Sequence, residues 1–255
     1  MASAEDSPLI WARPEPGTRR PKFTRDQIAS TALRIADAEG FAAVSMRRIA
    51  AELGAGTMTL YYYVRTKDEL VALMDDAIMA EVLIPAEEFP ANWYDALTEI
   101  ALRTWDALVR HPWALHSLQG AQAGPNAMRH FEQSLAALAG TGLDAPGKFA
   151  LISMVDDFVH GNALRSAEMR STRESAQDGP AGEDDEAFEA AVRFARAQMA
   201  TGELPHTQAL FGDEDPRTAF PRLVGDLPER DRFRQGLSIL LDGAATRMNL
   251  TPPAH

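Results

Sequence analysis

Hydrophobic positions recur with helical period along nearly the whole chain, and no stretch alternates with the period of two that a half-buried strand needs. Thr24 and Gln27 form a T-x-x-Q capping box. It opens a helix whose apolar side is Ile28, Ala32, Leu33, Ile35 and Ala36. Gly40 ends that helix, and Phe41 and Val44 plug a small core beyond it. Ser45 then caps a short helix with Ile49, Ala50 and Leu53 on one face, closed by Gly54. A second short helix is expected from Thr57 to Val64, anchored inward by Leu60 and Val64. Thr57, Met58, Thr59, Tyr61, Tyr62 and Tyr63 are left to its sides and outer face, more aromatic surface than a small core can hide. Hydroxyls of this kind, followed by Arg65 and Lys67, suit phosphates and base edges. The pattern is a helix-turn-helix, and it points to DNA.

The helical period continues downstream. Leu70, Leu73, Met74, Ile78 and Val82 stripe a linking helix from about Thr66 to Leu83, closed by Pro85. Further helices are expected over 90–110, 113–119, 125–139, 145–170, 185–201 and 229–246. The segment FALISMVDDFVHGNAL is apolar on nearly all sides, which places it at the centre of a bundle or at a subunit interface. Residues 171–187, polar, acidic and glycine-bearing, read as a mobile loop. Residues 1–22, with Pro8, Pro14, Pro16, Gly17 and Pro21, read as a flexible arm. The predicted fold class is all-α: a three-helix head over 23–67 joined to a C-terminal helical bundle over 68–255.

Charge sharpens this division. The chain of 255 residues carries a net charge of −12. Residues 1–67 hold ten Arg and Lys against seven Asp and Glu, whereas 68–255 hold 15 against 30. A mildly basic head on an acidic body limits nonspecific adhesion to phosphate. Cysteine is absent, which excludes disulfides and cysteine-ligated zinc and points to the cytoplasm. No apolar run is long enough for a membrane span, and the acidic N-terminus is no secretory signal. The six histidines show no metal-like spacing, so neither metal nor cofactor is expected. No G-x-S-x-G, phosphate-binding glycine loop or H-E-x-x-H occurs, and no enzyme activity is expected. The alternatives are a helical enzyme, or a protein-sensing regulator, in which the helix-turn-helix is scaffold.

Over about 24–75 the chain resembles the TetR family of bacterial transcriptional repressors, through TRDQIASTALRIADAEG, SMRRIAAELG, GTMTLYYYV and the K-D-E-L that opens the linking helix. From residue 90 onward, HPWALHSL and GPNAMRHFEQSLAALAGTGL resemble the tetracycline-repressor-like C-terminal domain. The resemblance implies a homodimer whose two heads enter successive major grooves of a palindromic operator and which a small molecule releases. It places Arg47 near phosphate or base, Thr57, Met58 and Thr59 at the front of the recognition helix, and Tyr61 and Lys67 on the backbone. Tyr63 departs from the pattern, where a histidine is common, but its phenol can still donate to phosphate. Tyr62 either joins this surface or packs on the linking helix, and Arg48 is a solvated or salt-bridged surface residue. Arg19 and Arg20 in the arm are candidates for a minor groove.

The body offers less specific signals. Trp105, Trp113, His116, Met128, Phe131, Met154, Asp157 and Phe158 are candidates to line an effector cavity between helices. Such a lining implies a largely apolar, aromatic small molecule. Asp157 is the sharpest of them, because a carboxylate in an apolar helix needs a partner. Phe149, Ile152, Val155 and Val159, with Phe233, Leu237, Leu240 and Leu241 of the last helix, are candidates for a four-helix dimer interface.

Overall fold

The structure, a computed structural model, describes residues 7, 9–14, 23–117, 123–178, 183–212, 214, 215, 218, 219, 222, 223, 225 and 227–251; side chains of 116, 117, 172–178, 183–185 and 187 are outside the description. Helices are the regular elements throughout these residues, as the periodicity requires. Two compact units are present, residues 1–165 with 236–255, and residues 166–235.

The first unit opens with α1 (Arg25–Glu39), α2 (Met46–Glu52), α3 (Thr57–Leu60) and α4 (Lys67–Val82). The expected capping box forms: Thr24 Oγ1 accepts from Gln27 N at 3.1 Å, and Thr24 N donates to Gln27 Oε1 at 3.0 Å. Ser45 caps α2 and Thr66 caps α4 with the hydroxyl alone, accepting from Arg48 N and Glu69 N. Gly40 and Gly54, at φ of 83° and 63°, reverse the chain after α1 and α2, where a Cβ would be strained. Ile28, Ile49, Leu60, Val64, Met74 and Ile78 are fully buried together, so α4 shares one core with the head. Burial of each such side chain contributes roughly 1.5–3 kcal/mol.

Two expectations about the head need correction. Helix α3 stops at Leu60, and Tyr61–Tyr63 form a tighter turn in which Tyr63 N donates to Leu60 O at 2.9 Å. The flexible arm is also shorter than 1–22, because residues 9–14 fold onto the head. Ile10 is fully buried, and Arg13 pairs with Glu69 at 2.6 Å. Arg25 gathers the carbonyls of Ile10 and Arg13, each at 2.9 Å. The prolines that argued for disorder flank an apolar L-I-W triplet whose Ile10 enters the core, with Trp11 packed against it.

The unit continues with α5 (Trp93–Arg110), α6 (Ala114–Ser117), α7 (Pro125–Ala137), the first part of α8 (Ala145–Asp178) and the last part of α11 (Glu229–Met248). Helix α7 is fastened to α4 at Asp76 and to the segment just after α4 at Ile84. Asp76 accepts from the N–H groups of Asn126 and Ala127 at 2.9 and 3.0 Å, and Ile84 exchanges two hydrogen bonds with the Gln133 amide. Phe158 of α8 meets α11 at Gly236, where a Cβ would lie 2.8 Å from its ring.

The second unit contains the rest of α8 and α11 with α9 (Glu183–Ala200) and α10 (Pro205–Phe211), which pack on one another. Arg196 pairs with Asp215 at 2.9 Å, and Arg222 with Glu214 at 3.1 Å. The mobile loop expected over 171–187 is therefore corrected: helical backbone runs to Asp178 and resumes at Glu183. Polarity there does not break the helical backbone on either side of 179–182. The Gly and Pro residues that suggested a loop fall at 179–182, outside the described residues.

Candidate functional site

The outer face of the helix-turn-helix is built by exclusion. Leu60 and Val64 take the core side, and the geometry of the Tyr61–Tyr63 turn sends the third tyrosine after them. Tyr63 is only 5% exposed and belongs to the core, so its expected DNA contact is corrected. Tyr62 is 77% exposed and Met58 74%, with Tyr61 partly open beside them. The sequence could not settle which tyrosine turns inward, because a full helical turn and a tight turn differ by about one residue of rotation. Thr57 and Thr59 are half-buried, while Arg47, Arg65 and Lys67 are exposed. Lys67 Nζ also sits 5.4 Å from the Phe41 ring centre. Arg48 is salt-bridged, to Glu39 at 2.6 Å and Glu52 at 2.8 Å. Its hydrogen bond holds the Glu39 carboxyl below the usual range. Arg19 and Arg20 lie outside the described residues.

This face is braced from behind. Arg25 Nε donates to the Tyr63 carbonyl at 3.4 Å while the same guanidinium holds residues 10–14. Burial pushes the Glu69 carboxyl up, but hydrogen bonds from Arg13 and the Arg65 N–H outweigh it and hold the group low. Sequence reasoning missed Arg13, Arg25 and Glu69 as supports of the reading turn. The capping position of Thr66 and the apolar triplet before Arg13 were the available signals.

A cavity of about 250 Å³ lies between α4, α5, α7 and α8. Its polar wall is Asp75, Asp76, Thr104, His130, Asp156 and His160, and Met79 and Ala127 supply apolar surface. Thr104 Oγ1 donates to Ile100 O at 2.8 Å and sits 3.2 Å from His130 Nε2. Burial, with His160 nearby, pushes the His130 imidazole down. Burial also pushes the Asp156 carboxyl up to about 6, with His160 opposing and Asp157 assisting.

None of the seven described residues among those expected to line a cavity lines this one. Trp105 is buried within the α5 core, and Met128, Phe131, Met154 and Asp157 are exposed. Phe158 packs on Gly236, and the His116 side chain is outside the described residues. Asp157 faces outward while its neighbour Asp156 takes the cavity wall, a rotation of about 100° along the helix that apolar flanks on both sides concealed. The proposed dimer residues divide similarly. Ile152, Val155, Val159, Phe233, Leu237 and Leu241 are buried within one protomer, Leu240 is half-buried, and Phe149 is exposed. The apolar residues that α8 and α11 leave open are instead Phe149, Met154, Leu164 and Ile239.

Head and body meet at a polar joint. His111, buried after α5, has Nδ1 2.8 Å from Asp37 of α1 and Nε2 3.4 Å from Glu81 of α4. Trp113 donates to the same Asp37 oxygen at 3.0 Å and stacks on Phe41, centroids 5.4 Å apart. Trp113 is thus a joint residue.

No helix among the described residues is long and apolar enough to cross a membrane, and no cluster of His, Asp and Glu among them is arranged to hold a metal. Residues 28–74 match the family model of bacterial regulatory proteins of the tetR family, and residues 85–248 match the tetracyclin repressor-like C-terminal domain. The chain is 35% identical over 239 residues to the HTH-type transcriptional repressor DrrR1 of Streptomyces coeruleorubidus, covering 92% of this chain and 83% of that one. Among solved structures, apo ActR of Streptomyces coelicolor superposes with a TM-score of 0.64 at 28% identity, covering 90% of this chain and 97% of ActR. ActR in complex with actinorhodin gives 0.59 at 28% identity, over 88% and 96%.

Proposed function

Because the chain belongs to the TetR family of bacterial regulatory proteins, and is thus a DNA-binding transcriptional regulator rather than an enzyme, we propose that it is a repressor which binds a palindromic operator as a homodimer and is released by a small molecule. The observation that carries this reading is the continuity of α4. One helix shares the core of the reading head at Leu70 and Met74 and walls the cavity at Asp75, Asp76 and Met79.

The reading edge is Met58, Tyr61 and Tyr62, with Thr57, Thr59, Arg47 and Lys67 around it. Exposed aromatic and apolar groups of this size, with no protein covering them, suit the thymine methyl and sugar surfaces of a groove. Arg19 and Arg20 are proposed as minor-groove contacts on their basic charge alone. The dimer forms through the open faces of α8 and α11 around Met154, Leu164 and Ile239, with Phe149 and Leu240 at its margin. Gly161 and Gly243 on these helices have open space where a Cβ would stand, which lets a partner helix approach.

Occupation of the cavity moves α4 and α7 together, because Asp76 ties them and Gln133 holds the segment just after α4, and the His111–Asp37 joint passes the change to α1. The effector shifts operator affinity only by its preference for one of the two head spacings. The earlier expectation of a largely apolar effector gives way to one that matches a polar wall. Titration of the DNA upstream of the protein's own gene tests the reading. Salt-sensitive binding far tighter than to a scrambled duplex supports it, and equal binding to both duplexes overturns it.

A further inference from the structure

The cavity between α4, α5, α7 and α8 has its hydrogens already committed. Thr104 gives its hydroxyl proton to Ile100 O, so in its contact with His130 Nε2 the ring must be the donor. With His130 neutral through burial, its Nδ1 is left as an acceptor. His160 Nδ1 lies 2.9 Å from the Asp156 carbonyl, which can only accept, so Nδ1 donates there and its proton is turned away from the cavity. Asp76 is occupied by the N-terminus of α7, where it accepts three hydrogen bonds through its carboxylate. Asp75 and Asp156 add two more carboxyl groups, and no Lys or Arg is among the described lining residues. The lining therefore offers acceptors and negative charge, with its own donors turned to other protein groups.

We infer that the cavity takes a cationic amine, an ammonium group on a compact apolar or aromatic skeleton, with Asp156 as its counter-charge and Met79 and Ala127 against the skeleton. The inference rests on the reading of this cavity as the effector site. An anion would meet three carboxyl groups there, and a neutral hydrocarbon would leave acceptors without donors, a costly arrangement away from water. A carboxylate that burial has made reluctant to ionise gains most from an incoming cation, because the pair relieves the desolvation that raised it. Asp75, Asp76, His130 and His160 face the same space, so a cation is favoured by every carboxyl on the wall and opposed only by whatever positive charge the imidazoles carry.

The test uses three probes that share one bicyclic ring and differ in side-chain charge: tryptamine, tryptophol and indole-3-acetate. Calorimetric titration into the full-length protein, without DNA and at neutral pH, should show tryptamine binding at least about tenfold tighter than either of the others. Asp156→Asn should reduce that preference to within about threefold, with its folding checked by thermal unfolding. Indole-3-acetate or tryptophol matching tryptamine, undetectable tryptamine binding, or an unchanged preference in Asp156→Asn would overturn the inference. Operator affinity is measured separately, so failure of the amine arm leaves the regulatory reading standing, and loss of operator binding does not disguise itself as loss of the amine site.

Discussion

Gly124→Ala is a perturbation whose effect can be worked from geometry. A Cβ at Gly124 would overlap Oδ1 and Cγ of Asp76 and lie 2.8 Å from its Cβ. The backbone there, at φ −86°, suits any residue, so the demand for glycine is one of space alone. Asp76 is buried and cannot yield cheaply, because its carboxylate accepts from Asn126 N, Ala127 N and Asn126 Nδ2. Clearing the methyl group means breaking the cap of α7. A lost cap costs about 1 kcal/mol and a lost charge-assisted hydrogen bond about 1.5–3 kcal/mol, and these losses overlap, so about 3 kcal/mol is expected. For a chain of this size that lowers the Tm by roughly 6–12 °C. Thermal unfolding followed by circular dichroism reads this, with Asp76→Ala and the double variant completing a cycle. Asp76→Ala removes the cap and the Oδ1 and Cγ overlap and leaves only the 2.8 Å contact with the residue-76 Cβ, so Gly124→Ala in that background should cost clearly less than in the unmodified chain. A Gly124→Ala Tm within about 2 °C of the unmodified chain, or an additive cycle, would refute the reasoning.

Other outcomes follow from the site. Tyr62→Ala should weaken operator binding about tenfold, some 1.4 kcal/mol, with little change in Tm, whereas Tyr63→Ala should destabilise the fold by about 3 kcal/mol. Anisotropy titration and unfolding curves separate the two, and the reverse pattern would place Tyr63 on the reading face. Asp156 has a folded pKa of about 6 against an ordinary 3.8, so its ionised form costs stability, absent below pH 3.8 and fully present above about 6. Asp156→Asn should therefore be more stable than the unmodified chain at neutral pH, by up to about 3 kcal/mol, with the gain vanishing as pH falls through that window. Urea titrations across the range check it, and a pH-independent difference would contradict it. Glu69 has the opposite sign: its lowered pKa gives stability that is present above the ordinary carboxylate range and lost as pH falls through the lowered value. Arg13→Ala should remove much of that acid-sensitive component and destabilise the head at neutral pH by about 3 kcal/mol, which unfolding at two pH values would show.

Much of the head was legible in the chain because local rules decide it. The Thr24–Gln27 box, the Ser45 cap and the left-handed Gly40 and Gly54 each depend on a few neighbouring residues. The linking helix was legible for the same reason, since Leu70, Leu73, Met74, Ile78 and Val82 all turn inward. What was lost depends on rotation and on distant partners. Tyr62 and Tyr63 exchange places because α3 tightens into a turn, and Asp156 and Asp157 exchange places within a helix apolar on both sides. The cavity wall escaped notice because its polar members come from α4, α5, α7 and α8, where each looks like an isolated polar residue in an apolar stripe. The large aromatics that suggest a cavity in the sequence are core at Trp105, joint at Trp113 and open surface at Phe131. The docked segment at 9–14 escaped for a further reason: prolines around Ile10 and Trp11 resemble disorder until Arg25, further along the chain, supplies donors to the carbonyls of Ile10, Arg13 and Pro14.

The central claim is that two copies of the Met58–Tyr61–Tyr62 edge read successive major grooves as one symmetric unit. Hydroxyl-radical footprinting on the DNA upstream of the protein's own gene measures this most directly. The account predicts two protected patches on one face of the duplex, related by a twofold axis and centred roughly 34 Å apart or a small multiple of that. Both should fade together in Tyr62→Ala. A single protected patch, or protection that Tyr62→Ala leaves untouched, would contradict it.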